Sequence, residues 1–429
     1  MVELVLGQRK SIFEALGELT QRGDVVHFAL GLRPAILLQH PDLIEAVLVT
    51  HNKSFVKPRG VRELKTMLGN GLLISEGDFW RRQRRLASPA FHKDRIAAYA
   101  AVMVAYTEHH LATWQAGQTR DVNHEMMALT LAVVAKTLFD TDAGAQTDMI
   151  GQAVDDGMRQ FAMRRNSSFL LPDWVPTRTQ RRFRVSMGKL NAYIQSLIDA
   201  RRASGVDHGD LFSMLLAARD EDGSAMSDTQ LMAEAKTIFL AGHETTANAL
   251  TWTFVLLAQN PAVEERLRAE LKAVLGTRSP SLADLPQLPY LEHTVSESLR
   301  LYPPAFTVGR EAREDVALTP ELTIARGETI LMPQFSVHRD PRWFEQPLRF
   351  LPERWEHDLA KRLPTYAYFP FGGGPRLCIG NRFALMEAAL LLGTILQRFR
   401  LQLLPDTDLT PDPAITLRPK HAIKMTLRA

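Results

Sequence analysis

Apolar and polar positions along these 429 residues follow two rhythms. Near the start, Asp24 to Leu30 and Pro34 to Gln39 are apolar runs joined by Gly31-Leu32-Arg33, which predicts a β-hairpin. Strand character returns in Leu322 to Pro333, with a turn at Gly327, and in Ala414 to Arg428. Between these, from Pro41 to about Leu301 and again from Ile379 to Phe399, apolar residues recur at helical spacing. The pattern predicts a mainly α chain with small β-sheets assembled from the two ends. No Ser/Gly-rich tract, low-complexity run or fixed-period repeat divides it. One composite domain over 1–429 is expected, with its β-rich part from 20–60 and the margins of 310–429. The helical body takes about 60–305 plus 379–399.

The longest helical pattern runs from Ser227 to Asn260. Ser227 and Gln230 form a capping-box pattern, and Pro261 lies just past the end. At ~1.5 Å per residue the helix would be about 50 Å long. Its middle breaks the apolar rule: Ala241-Gly-His-Glu-Thr-Thr246 sets a glycine, a carboxylate and two β-branched hydroxyls where apolar residues would pack better. Gly242 costs roughly 1 kcal/mol relative to alanine, and an unpaired buried Glu244 would cost more. Local rules broken inside a core element point to a functional site; the plainer alternative is a polar stripe on a water-filled cavity. His243-Glu244 is not a zinc motif, because HExxH needs histidine where Ala247 stands.

Composition narrows the class without naming it. A hydrophobic fraction of 45% with 23% charged residues fits a globular protein. The formal net charge of +3 is too small to imply nucleic acid. The N-terminus has no signal-peptide core, and charge breaks every apolar stretch before the ~18 residues a membrane span requires. A soluble, cytoplasmic protein is expected. A single cysteine excludes an internal disulfide framework and fits a reducing compartment.

That cysteine sits in Phe371-Gly-Gly-Gly-Pro-Arg-Leu-Cys-Ile-Gly380, a glycine-rich turn running into a helical pattern. A helix N-terminus offers a thiolate unpaired N–H groups and the positive end of the macrodipole. Gly372, Gly373 and Gly374 remove side chains that would keep a flat ligand from the backbone. A lone cysteine is most often a small buried hydrophobe, so on its own Cys378 leaves both readings open.

Phe371, Gly374, Arg376, Cys378 and Gly380 together match FxxGxRxCxG, and the chain resembles the cytochromes P450 over nearly its whole length. The resemblance implies the cytochrome P450 fold and a non-covalent haem b with Cys378 as axial ligand to the iron. Arg376 would bond a haem propionate, and Phe371 would pack near the sulfur. Trp80 and Arg84, at i and i+4, match the family's WxxxR pair that contacts a propionate, and Arg310 stands where a further propionate-binding base often lies. Ala241, Gly242, Glu244, Thr245 and Thr246 are similar to the oxygen-activating motif, with Thr245 and Glu244 relaying protons and Thr246 following. Glu297-Ser-Leu-Arg300 resembles ExxR, and Phe350-Leu-Pro-Glu-Arg-Trp355 a PERF-like segment. Glu297, Arg300 and Arg354 would then form a buried structural network, with Trp355 replacing phenylalanine at little consequence.

By the same analogy the substrate pocket draws on Val56 to Gly71, Met158 to Trp174 with Phe161, Leu240, Ala241, Ala305, Phe306, Thr307, Val308 and Ala414 to Thr416 with Ile415. Most of these are apolar, which implies a lipophilic small molecule, with fatty acids, terpenoids or steroids favoured. The implied function is a haem-thiolate monooxygenase that inserts one atom of O2 by hydroxylation or epoxidation. NAD(P)H-derived electrons are expected through a separate ferredoxin or flavodoxin and its reductase, since the sequence carries no flavin module. Arg81, Arg82 and Arg85 could form a docking patch for that acidic partner or simply a solvated face. A monomer is the family's default. The alternatives are a peroxide-driven peroxygenase, against which the intact Glu244-Thr245 pair argues, and a non-catalytic haem gas sensor or electron carrier, which needs no acid–alcohol pair.

Overall fold

The computed structural model describes residues 2–4, 12–31, 33–141, 146–166, 177–219 and 223–429. Val25–Leu30 and Arg33–Leu38 pair antiparallel, as the apolar runs predict. From Ala35 to Leu38 the second strand is an unbroken apolar run because both its faces are covered. Ile36 and Leu38 share one core with Ile44, Ile330 and Met332, while Ala35 and Leu37 share another with Leu16, Leu19 and Phe28.

This strand lies inside a six-stranded sheet ordered Val2–Leu4, Val25–Leu30, Arg33–Leu38, Thr329–Met332, Val308–Ala312, Phe55–Val56. Thr329–Met332 joins Arg33–Leu38 in parallel and Val308–Ala312 in antiparallel register. The sheet is thus built from two distant parts of the chain. Leu322–Ile324 pairs elsewhere, with Val316–Thr319, so Gly327 at φ 81° turns the chain from one sheet into another. Lys424–Arg428 lies between Arg400–Leu403 and Thr119–Asp121. Thr119–Asp121 and Phe55–Val56 fall inside the stretch read as helical; two or three residues are too few to display a period of two.

The residues gather into two compact units. One comprises Met1–Pro58, Thr107–Glu125 and Asn248–Ala429, and the other Arg59–Tyr106 and Met126–Ala247. The first holds these sheets and the Pro261–Leu275, Pro289–Leu301 and Asn381–Arg398 helices; the second holds the Gly77–Ala87, Thr147–Asn166 and Arg178–Ser204 helices. The long helix spans Asp228–Gln259 and contributes to both. Its predicted capping box is half made. Ser227 Oγ accepts the Gln230 N–H at 3.3 Å, but the Gln230 side chain donates to Asn70 O and Glu234 Oε1 instead. Among the described residues no helix is long and apolar enough to cross a membrane.

Candidate active site

The glycine turn is closed by its own backbone and held from behind. Cys378 N–H donates to Phe371 O at 3.0 Å, Leu377 N–H to Gly374 O at 3.0 Å, and Gly372 N–H to Phe369 O at 2.9 Å. Gly372 and Gly374 lie at φ 73° and 61°, a region glycine enters without strain. The glycines also answer a demand that the sequence reading assigned to a ligand. A Cβ on Gly373 would lie 2.2 Å from the Tyr366 ring, and one on Gly374 1.9 Å from the Leu48 carbonyl oxygen. The protein's own body excludes side chains there. Cys378 is exposed and in no disulfide, and the Asn381–Arg398 helix begins three residues after it, with Gly380 at its N-cap.

Behind the turn, Phe369 N–H donates to His338 Nε2 at 2.9 Å and Phe369 O accepts from Gln334 Nε2 at 2.5 Å. His338 is wholly buried; burial first, then the Arg300 and Arg339 charges, push its pKa well below the usual 6.5. Arg300 Nη1 donates to His338 O at 2.8 Å and to Pro347 O at 2.7 Å. Its Nε and Nη2 grip Glu297 at 2.9 and 2.8 Å. Glu297 also accepts from Leu351 N–H at 3.0 Å, Arg354 Nε at 2.9 Å and Trp355 Nε1 at 2.9 Å. Glu297 and Arg300 are 0% exposed, and a buried pair of charges is tolerable only when so fully bonded. Trp355 therefore does more than preserve an aromatic: its indole N–H is one of the carboxylate's donors, which phenylalanine could not supply.

In the second unit, Leu240, His243, Glu244 and Thr246 are buried, while Ala241 is exposed and Thr245 half-buried one turn on. Thr245 Oγ1 donates to Ala241 O at 2.8 Å, diverting a helix carbonyl as a mid-helix threonine does. Thr130 Oγ1 donates to His243 O at 3.1 Å, and His243 Nδ1 bonds the Phe239 carbonyl. Burial lowers the His243 pKa, so the ring is neutral. Thr246 Oγ1 is buried without a hydrogen-bond partner. Gly242 has a packing reason: a Cβ there would lie 3.0 Å from Val134 Cγ2 on the Val122–Phe139 helix.

The donor set in the first unit fits one kind of metal group. A protein that offers one soft sulfur, with Arg376 in the same turn and Arg310 on the Val308–Ala312 strand, suits a metal bringing its other ligands and acidic side arms with it, as haem does. A profile of the family described as Cytochrome P450 matches residues 2–426. This chain belongs to the cytochrome P450 family. The P450 is a monooxygenase, an oxidoreductase whose family works with haem-thiolate and O2. It is 40% identical to cyclooctatin synthase of Streptomyces melanosporofaciens over 94% of this chain and 88% of that one. It is 38% identical to cyclooctat-9-en-7-ol 5-monooxygenase of the same organism (92% and 86% covered) and 33% identical to pentalenene oxygenase of Streptomyces avermitilis (96% and 92%).

The remaining site residues of this P450 divide between the units. In the first, Leu417 N–H donates to Pro304 O at 2.8 Å, which brings the Ala305–Val308 and Ala414–Thr416 segments side by side. Val308 Cγ2 stands 4.0 Å from where a Gly372 Cβ would be, beside the cysteine turn. Thr307 Oγ1 donates to Met332 O at 3.4 Å, and Phe306 is buried edge-on to Phe13, a packing position. Arg310 Nη1 donates to Gly309 O at 2.8 Å.

In the second unit, Trp80 is buried and Arg84 half-buried on the Gly77–Ala87 helix, and Phe161 is half-buried. Of Met158 to Trp174, positions 167–174 lie outside the described residues. Arg81 pairs with Asp78, and Arg82 Nη2 donates to Ser224 Oγ at 2.5 Å, so neither is a bare surface charge.

One residue escaped the sequence reading. Glu234, about three turns before Thr245, is 0% exposed. Its Oε2 accepts the Leu72 N–H at 2.9 Å and its Oε1 the Gln230 amide at 2.6 Å. Burial pushes its pKa up to about 7. Beside it, a Cβ on Gly71 would lie 2.3 Å from Thr237 Oγ1, so the loop lies directly on the helix. The signal was present as a carboxylate in a buried helix, masked by the more familiar one at Glu244.

Proposed function

We propose that this P450 hydroxylates a terpenoid, with Cys378 as the residue whose thiolate would hold the iron of haem b. The observation that carries the assignment is the Cys378 turn, closed on Phe371 O and backed by His338, which presents the chain's only cysteine at an exposed position. The substrate class rests on the likeness to cyclooctat-9-en-7-ol 5-monooxygenase and pentalenene oxygenase. By the family resemblance, Arg376, Arg310, Trp80 and Arg84 would hold the propionates. When bound, the haem supplies the redox chemistry that activates O2. One oxygen atom then enters a C–H bond and the other leaves as water, consuming a pair of electrons and a pair of protons.

The chain's part in that chemistry is to bind, orient and supply protons. Thr245, already bonded to Ala241 O, offers a hydroxyl on the more open side of the long helix, and Glu244 behind it is the acid that replenishes its proton. NAD(P)H-derived electrons reach the protein through a ferredoxin or flavodoxin and its reductase, in the cytoplasm, and the working form is a monomer.

The test is the carbon monoxide spectrum of the reduced, haem-loaded protein. A thiolate-type band lost in Cys378→Ser supports the assignment, and its absence from the unaltered protein overturns it. Thr245→Ala should then release peroxide while NAD(P)H consumption continues; coupling left intact would remove Thr245 from the proton path.

A further inference from the structure

The Thr147–Asn166 helix carries an unsatisfied polar group on its buried face. Gln160 is 7% exposed, and its Oε1 has no hydrogen-bond partner. A buried amide oxygen without a donor is costly, and leucine or methionine at this position would avoid that cost. Gln160 lines a cleft whose walls are Leu64, Met67, Phe161 and Phe183, with Glu63 and Thr66 also on its surface. Gly157 lets the walls approach: a Cβ there would lie 2.2 Å from Met67 Sδ. The cleft is small, about 10 Å³, which admits one water-sized group such as a hydroxyl but no ring.

We infer that Gln160 is a specificity-determining residue, its Oε1 accepting the hydroxyl proton of a terpenoid that is already oxygenated. This rests on the terpenoid reading above and narrows it. The bond needs a donor on the ligand. A ketone has none, and neither does the ionised head of a fatty acid, which Glu63 would also repel. An alcohol on an apolar skeleton satisfies Oε1 with its hydroxyl in the cleft, while its carbon body stays outside against the half-buried rings of Phe161 and Phe183. The substrate is then the product of an earlier hydroxylation, so the reaction feeding this enzyme is itself an oxygenation. A single ordered water is the competing occupant.

The experiment is calorimetric titration of the haem-loaded enzyme with cedrol, with cedrene, its hydrocarbon counterpart, and with palmitate. Cedrol should bind about tenfold more tightly than cedrene, the worth of one neutral hydrogen bond. In Gln160→Met that preference should vanish with cedrene affinity unchanged, and in Gln160→Glu, which keeps an acceptor, it should persist. Gln160→Asn, which withdraws the acceptor by one methylene, makes the same comparison should Gln160→Met not fold. Equal binding of the two terpenoids, or a preference that survives Gln160→Met, overturns the inference and leaves water as the occupant. So does tighter binding of palmitate, or an equal loss of both terpenoids in Gln160→Met, which would mark a packing role. Failure of both terpenoids to bind the unaltered enzyme sinks the terpenoid reading as well, whereas cedrene binding as tightly as cedrol sinks the hydroxyl subsite alone.

Discussion

The imidazole of His338 accepts the backbone N–H of Phe369 through Nε2 at 2.9 Å, which places its single proton on Nδ1. His338→Leu strips a buried loop amide of its acceptor and is expected to cost about 1–3 kcal/mol. The haem-to-protein ratio of the purified variant should fall with it. The sign of the pH dependence follows from a folded-state pKa held below 6.5. The neutral ring's contribution is present above that value and is lost as pH falls, because the unfolded chain takes up the proton first. Denaturation midpoints from about pH 7.5 down to 5 should decline less steeply in His338→Leu than in the unaltered protein.

Trp355→Phe removes the indole donor from Glu297 Oε2 and leaves Arg300 Nε as the remaining partner of that oxygen. A hydrogen bond to a buried charge is worth about 1.5–3 kcal/mol. Urea unfolding should show a loss of that size. A loss below about 0.5 kcal/mol would restore the simpler view that any aromatic serves here.

Glu234 sets an opposite pH dependence. Its pKa is raised from 4.5 to about 7 by burial, so the folded state keeps the proton longer than the unfolded chain does. Its stabilising effect is full below about pH 4.5, weakens as pH rises, and is spent above about 7. Glu234→Gln should flatten that slope. Amide exchange at Leu72, whose N–H the carboxylate accepts, should quicken in Glu234→Ala.

The cysteine turn separates two costs of replacing glycine. Gly372→Ala meets only the left-handed backbone, since the nearest atom stands 4.0 Å away, and should cost about 1–2 kcal/mol. Gly374→Ala adds a collision with the Leu48 carbonyl at 1.9 Å and should abolish haem loading. Equal loading of the two variants would show that the collision is relieved by movement of the turn.

Arg81→Glu tests the docking face. Stopped-flow reduction by a ferredoxin or flavodoxin should slow, and its ionic-strength dependence should flatten.

What the sequence revealed and what it hid divide along physical lines. The hairpin at Val25–Leu38 and the helix at Asp228–Gln259 were legible because each is specified by neighbours in the chain: alternation or runs, a turn, a start and a stop. The segments around Cys378 and Glu297 stood out through their resemblance to motifs of the family, and Ala241 to Thr246 also because polar residues interrupt a buried helix. The sheet partners of Arg33–Leu38 were not, since register across nearly three hundred residues leaves no local mark. Trp355 looked conservative by size, and only its N–H direction shows otherwise. Gly373 and Gly374 have a packing reason that the sequence did not display, because a side chain there would strike the Tyr366 ring or the Leu48 carbonyl, and a contact across a turn or across about three hundred residues leaves no local pattern.

The pairing of Ala35–Leu37 with Thr329–Leu331 also sets an order of events at the ribosome. By the time the second of these strands emerges, the first has waited through most of synthesis with its inner edge unpaired and its Ile36 and Leu38 face lacking Ile330 and Met332. Such an edge is a template for the wrong partner. The newly made chain is thus most exposed to aggregation before its last quarter is complete, and truncations ending short of Thr329 should need chaperones that the whole protein outgrows.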